Sequence, residues 1–385
     1  MIAEIIFWTF LFAVFYPYFG YPAVLAFLSL FKKMQTAKGD VEPSVSFIIT
    51  AFNEEKRIEE KLKNTLGLNY TQNKLEIIVA SDNSTDNTDN IVRAYEKSGV
   101  KFVSAPERRG KEFAQQCAVA VAKGDVFIFS DVATILEPEA VKNIARNFSD
   151  PTVGCVSSVD KFINSDNSIS GEGAYVQYEM FLRSLESKVN TLVGLSGSFF
   201  AARKEVCKDW ADDLQSDFNT LFNSVKLGMR GVSDPESIGY YRNISDEKKE
   251  YERKVRTVLR GISVFMSSLS FLNPIKYGLF SWQLFSHKLC RWLVPFALII
   301  LFLSNAVICF SALTSALSSS FYCYFFLLQA GFYIIAALGA TTSVFNKLSI
   351  LKIPYFFVLV NASILSAWLR YFRGERIAKW TPSER

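Results

Sequence analysis

Apolar residues gather at the two ends of this chain and thin out between them. Ile2–Phe31 is apolar except for Glu4 and stops at Lys32-Lys33. That run exceeds the roughly 20 residues a membrane helix needs. It has neither the basic start nor the clear cleavage site of a secretory signal, so it predicts an uncleaved span. The positive-inside rule then puts Lys32-Lys33 on the cytoplasmic side. Three more apolar runs, at 293–313, 321–342 and 350–369, close the chain, the first two reading as a hairpin through the uncharged stretch 314–320. If all four cross, both termini lie on the same outer side. Yet Arg370, Arg373, Arg376, Lys379 and Arg385 favour a cytoplasmic tail. Charge and parity disagree, so one segment is expected to be re-entrant or interfacial.

Between the ends, strand and helix patterns alternate. Short apolar runs at 45–50, 75–80, 101–104 and 126–130 predict strands, and 54–66, 86–97, 111–123 and 138–148 predict helices. In the first helix Ile58, Leu62 and Leu66 recur at helical spacing. Alternation of this kind argues an α/β domain with a mostly parallel sheet covered on both faces. Beyond Val153 the pattern loosens: strands at 154–159, 192–201 and 232–240, and helices at 172–189 and 217–227, the last ending at Gly228. A basic helix at 248–262 leads into 263–289, which is too polar to span and too apolar for solution. Interfacial helices are expected there.

Composition narrows the chemistry. The 385 residues are 50% hydrophobic with 35 Phe, more than a water-soluble enzyme needs. A single histidine, His287, excludes Ser-His-Asp, Cys-His and His-rich metal sites. Cys117, Cys155, Cys207, Cys290, Cys309 and Cys323 have no paired metal spacing and read as free thiols. The net charge of +5 is mild, and its juxtamembrane share fits anionic lipid headgroups better than nucleic acid.

The candidate site residues stand at element ends. Val126-Phe127-Ile128-Phe129-Ser130-Asp131 is a buried-strand pattern closed by a carboxylate, at the end of the sheet where open α/β folds bind ligands. Asp131 there suits a divalent metal bound through oxygen, or else a helix cap. Asn53-Glu54 follows the first strand, where the turn either caps a helix or holds a ribose or base. Ser81-Asp82-Asn83-Ser84-Thr85-Asp86 closes the second strand, six polar residues where capping needs one, and Asp82 is placed to accept from a pyrimidine ring N–H. Arg108-Arg109-Gly110-Lys111 enters a helix and reads as a diphosphate site or a solvated basic turn. Asp217 begins a helix, as a cap or as a general base for an acceptor hydroxyl. Arg253 and Arg256 share a helix face near the membrane, for headgroups or for a leaving diphosphate.

In this order the motifs resemble those of the membrane-bound family 2 glycosyltransferases, the group of the cellulose, hyaluronan and poly-N-acetylglucosamine synthases. The likeness covers about residues 1–300 well and the rest by layout. Thr50-Ala51-Phe52-Asn53-Glu54-Glu55 is similar to the opening nucleotide-binding segment, 81–86 to the second, and Arg109-Gly110-Lys111 to the diphosphate-side turn. Ser130-Asp131-Val132-Ala133-Thr134 falls on the metal-binding Asp-x-Asp motif. Gly194-Leu195-Ser196-Gly197-Ser198 resembles the stretch lining the sugar pocket. Ser216-Asp217 falls on the catalytic-base motif, and Arg253-x-x-Arg256-Thr257 on Gln-x-x-Arg-Trp.

The resemblance implies a GT-A fold, a nucleotide-sugar donor with UDP favoured, Mg²⁺ or Mn²⁺, and inversion in a single displacement. Nucleotide binding falls to Ala51, Asn53, Glu54, Asp82, Arg109 and Lys111, metal binding to Asp131, and the sugar or acceptor pocket to Ser196, Gly197 and Arg253. Asp217 would take the acceptor proton and Arg256 would stabilise the departing diphosphate. Three positions depart: Ala133 stands where the second acid belongs, Ser216 precedes Asp217, and Arg253 and Thr257 replace residues linked with processive synthesis. The expected layout is an anchor at 1–33, a catalytic domain at 40–245, basic and interfacial helices at 246–290 and a membrane region at 291–385. The expected enzyme is multi-pass in the inner membrane, with a cytoplasmic catalytic domain acting on a polyprenyl-linked or growing glycan. The alternatives are a processive, exporting polysaccharide synthase and a catalytically silent scaffold.

Overall fold

The computed structural model describes residues 1–163, 174–242, 247–314, 320–341 and 349–377. The expected turn at 314–320 and the basic residues Lys379 and Arg385 fall largely or wholly outside them. Among the described residues, four helices are long and apolar enough to cross a membrane: Ile2–Phe31, Leu279–Ser311, Phe321–Ala340 and Ile353–Phe372. The chain divides into two compact units, Met1–Val24 with Glu247–Ile262 and Ser281–Glu375, and Leu25–Asp246 with Ser263–Phe280 and Arg376–Arg385.

In the first unit, α1 (Ile2–Phe15) passes through a π-turn at Tyr16–Gly20 into α2 (Tyr21–Phe31), the turn absorbing Pro17. The many Phe serve helix packing: Phe7 is fully buried, edge-on to Tyr322 at 5.1 Å and Phe325 at 5.3 Å. Polar tips satisfy one another, Trp282 Nε1 donating to Tyr16 Oη at 3.0 Å, which meets Ser286 Oγ at 2.8 Å.

The second unit is built on an eight-stranded sheet: β1 (Val45–Ala51), β2 (Leu75–Ser81), β3 (Val100–Ser104), β4 (Val126–Asp131), β5 (Ile135–Leu136), β6 (Val153–Ile163), β7 (Phe199–Arg203) and β8 (Arg230–Arg242). Their order is β3-β2-β1-β4-β7-β6-β8-β5. β3, β2, β1 and β4 are mutually parallel, β7 runs antiparallel to β4 and β6, and β8 pairs parallel to β6. Every residue of β1 is buried, as a strand covered on both faces requires. The order reverses between β1 and β4, and there the crevice at the strand ends opens. Thr50 is in register with Asp131 and Ala51 with Ser81, so the candidate residues of three strands lie at one edge.

Helices α3 (Ile58–Leu66), α4 (Thr88–Ala94), α5 (Lys111–Val121), α6 (Ala140–Ala145), α7 (Ala174–Val189) and α8 (Ser216–Lys226) complete this unit. Several expectations are corrected. No helix opens at Glu54: Asn53 takes a left-handed φ of +51°, Arg57 N bonds Glu54 O in a turn, and α3 starts at Ile58. Its buried face is Ile58, Lys61, Leu62 and Thr65, while Leu66 is 38% exposed. The stretch expected as a strand from 192 is irregular up to Ser198, β7 beginning only at Phe199. Asp131 caps no helix, since β5 follows it. Asp217 lies in the first turn of α8, where Gln215 holds the cap position.

The basic helix is α9 (Glu247–Met266), followed by a short 3-10 turn and α10 (Pro274–Tyr277), capped by the Asn273 side chain. The chain then bends at Gly278, φ +54°, a conformation suited to glycine. From Leu279 one helical run, α11 (Leu279–Leu284), a π-turn and α12 (Cys290–Thr314), continues unbroken. Residues 279–289 therefore begin a candidate span, and are not separate interfacial helices. α13 (Ser320–Thr341) and α14 (Ser349–Phe372) follow.

Candidate active site

At the end of β2, Asp82 is fully buried. Its Oδ1 accepts the backbone N–H of Arg109 at 3.1 Å and of Gly110 at 3.0 Å. Gly110 reaches this position at φ +122°, strained for any side chain. Burial pushes the Asp82 carboxyl up, against the two amides and the Arg108 charge. Its Oδ2 is buried with no hydrogen-bond partner among the described residues. An acceptor left in that state costs free energy until a donor meets it.

The turn after β1 is tied to the turn after β2. Asn53 Oδ1 accepts the Thr85 amide at 2.8 Å, and Thr88 Oγ1 accepts the Glu54 amide at 2.7 Å. Asn53 and Asn83, φ +51° and +56°, are the two described non-glycine residues in left-handed conformations, and both sit at this edge. Burial raises Glu54, and Arg57, 2.7 Å from Oε2, opposes it. Ala51 ends β1 fully buried beneath this turn.

At the end of β4, Lys111 Nζ lies 2.5 Å from Asp131 Oδ1 and 2.8 Å from Gly197 O. Lys111, the first residue of α5, thus reaches the carboxylate at the end of β4. The Arg109 guanidinium pairs with Asp212 at 2.5 Å. Asp131 N donates to Ser198 O at 2.9 Å. Asp217, 8% exposed, lies against the same segment, and a Cβ on Gly197 would stand 3.1 Å from its Oδ2. Ser196 Oγ bonds Asp160 at 2.7 and 2.8 Å. Asp131, Lys111, Ser196, Gly197 and Asp217 are therefore gathered in one place.

Two residues here escape sequence reading. Lys61 is fully buried below Asp131, donating to Ser130 Oγ at 2.8 Å and Thr134 O at 2.6 Å. Burial lowers its ammonium to about 7, against the Asp131 charge. Its helical spacing with Ile58 and Thr65 was the available signal. Asp160 stands inside β6, which continues to Ile163, so no strand end marks it. Arg253 and Arg256 belong to the other unit, where both Arg253 nitrogens Nε and Nη2 bond Glu250 at 2.7 Å.

Residues 46–210 match Glycosyl transferase family 2. The chain carries a family 2 glycosyltransferase domain. The match ends before Asp217. The poly-β-1,6-N-acetyl-D-glucosamine synthase of Staphylococcus aureus strain COL is 30% identical over 214 residues, 53% of this chain and 50% of that protein. The synthase of Staphylococcus epidermidis is 28% identical over 181 residues, 44% of this chain and 42% of that one. The matched region thus spans about half the length of these curated relatives. The mannosyltransferase PcManGT of Pyrobaculum calidifontis, solved with GDP-Man and Mn²⁺, shares the fold of the glycosyltransferase over 97% of this chain and 100% of its own, with TM-score 0.76 and 21% identity.

Proposed function

We propose that this glycosyltransferase moves a sugar, with inversion, from a nucleotide-sugar donor to a lipid-linked or growing glycan acceptor at the cytoplasmic face of a membrane. The observation that carries this reading is the joining of Asp131, Lys111, Gly197 and Asp217 at one edge, with Asp82 at the same edge across β1.

Asp82 Oδ2 would accept a ring N–H from the base. Uracil N3 and guanine N1 carry such a hydrogen; cytosine N3 and adenine N1 do not. Ala51, Asn53 and Glu54 line the ribose side. Arg109 and Lys111 would meet the diphosphate, which requires Lys111 to leave Asp131 and Arg109 to leave Asp212. Ser196 and Gly197 border the sugar. Asp217 would accept the acceptor's hydroxyl proton as that oxygen attacks the anomeric carbon.

The residues fit a Mg²⁺ or Mn²⁺ ion held by Asp131. It is a hard oxygen donor with its side chain 26% exposed, and no three His, Cys, Asp or Glu cluster to hold a metal among the described residues. The donor's phosphates and water would fill the remaining positions. Bound there, such an ion would neutralise charge on the diphosphate.

A donor screen in detergent, with UDP- and GDP-sugars and either metal, tests the reading through nucleotide release. Release requiring both metal and acceptor supports it; no release from any donor refutes it. Product length separates single addition from the processive synthesis suggested by the staphylococcal relatives.

A further inference from the structure

We propose that Asp160 is a positioning residue for this transfer, anchoring the Ser196-Gly197-Ser198 segment that sets the spacing of Asp131, Lys111 and Asp217. The inference rests on the functional reading above and adds a residue that no motif marks.

Each residue of the segment does something different. Ser198 O accepts from Asp131 N, fixing the end of β4. Gly197 O accepts from Lys111 Nζ, and Gly197 abuts the Asp217 carboxylate closely enough that no Cβ fits comfortably. A shift of this segment by an ångström would move all three groups. The segment lies outside regular structure, so beyond the Asp131 N–Ser198 O bond it depends on side chains.

Asp160 receives the segment's Ser196 hydroxyl. Its two oxygens share the Ser196 hydroxyl at 2.7 and 2.8 Å, and its Oδ1 accepts Tyr241 Oη at 3.1 Å; Ser198 Oγ meets Ser196 Oγ at 2.8 Å, and Ser158 Oγ donates to Phe199 O at 2.6 Å. The Ser157 hydroxyl helps by accepting the Ser196 amide at 2.8 Å. The β6–β7 pairing runs to Ser157 and Phe200, so Asp160, three residues on in β6, lies past the paired stretch on the side of this segment. A carboxylate only accepts, so the Ser196 and Tyr241 hydroxyls bonded to it must donate. Burial raises the carboxyl, and the hydroxyls with the Arg183 charge oppose that rise. The strand order gives the direction: Asp82 on β2, Asp131 on β4 and, two strands or roughly 9–10 Å further, Asp160 on β6. The anchor therefore stands on the sugar side, away from the base.

Asp160→Asn reverses one edge from acceptor to donor, and Ser196→Ala with Ser198→Ala removes the same bonds from the other side. Both are made in the full-length protein and followed by kcat, donor KM, affinity for UDP and GDP, and melting temperature. The expected result is a fall in kcat of about tenfold or more, with nucleotide affinity and donor KM within about threefold of wild type. Combining the variants adds little further loss, because they break one network. Folded Asp160→Asn with kcat within about twofold of wild type overturns the proposal, as does an equal loss of nucleotide affinity and kcat. If Asp160→Asn fails to fold, the double serine variant decides on kcat and nucleotide affinity alone, since Ser196 itself borders the sugar. A wild-type protein that turns over no donor overturns the functional reading as well, whereas active wild type beside an equally active variant overturns this inference alone.

Discussion

Lys111 Nζ stands 2.5 Å from Asp131 Oδ1, so an ammonium already occupies one side of the carboxylate that would hold a metal. With Ala133 two residues on, no second acid of that motif competes for the cation. A divalent ion bound there would compete with Lys111 for the carboxylate, and a donor diphosphate would offer the lysine a new partner.

The wild-type protein is therefore expected to bind Mn²⁺ weakly without nucleotide. Lys111→Met binds Mn²⁺ about tenfold more tightly in its absence, a gain of about 1.4 kcal/mol, yet transfers more slowly. Electron paramagnetic resonance of free Mn²⁺ reads this directly. Equal metal affinity in both proteins contradicts it. Ala133→Asp is expected to be tolerated at the metal, and complete inactivity of that folded variant would point to another metal geometry.

The unpartnered Asp82 Oδ2 predicts base selection. UDP and GDP should bind more tightly than CDP and ADP, and Asp82→Asn should cost UDP binding about 1–3 kcal/mol. Titration calorimetry with the four diphosphates measures it. Equal binding of all four would remove Asp82 from base recognition.

Lys61 predicts a pH dependence of stability. Folded, it titrates at about 7, and unfolded near its ordinary 10.5. Between these values the unfolded chain binds a proton that the folded chain lacks, so stability rises with pH. Below 7 both states are protonated and the burial cost is felt in full. The rise approaches about 1.4 kcal/mol per pH unit. Wild type should gain melting temperature from pH 7 to 9 by more than Lys61→Met does; identical gains would contradict the assignment.

The ends of β1, β2 and β4 were legible because a strand buried on both faces is an uninterrupted apolar run, and the first polar residue after it marks the crevice. That is how Asp82 and Asp131 stand out in the sequence. Lys111 was legible as a basic residue at a helix start, but not in its direction, since a long flexible side chain follows tertiary partners such as Gly197 O. Lys61 was hidden because a charged residue on the buried face of α3 reads as solvent-facing. Asp160 was hidden because β6 runs past it. The break before the second candidate span lay at Gly278 and not at residue 293, because Trp282, His287 and Lys288 dilute the apolar pattern without interrupting the helix.

In the proposed transfer Asp217, held against Gly197, removes the acceptor proton. Asp217→Asn keeps the shape and removes the base. Transfer measured as nucleotide release, beside UDP or GDP affinity in the same preparation, tests this most directly. Transfer is expected to fall about a hundredfold or more with nucleotide affinity unchanged. Turnover near the wild-type rate in the folded variant would contradict it.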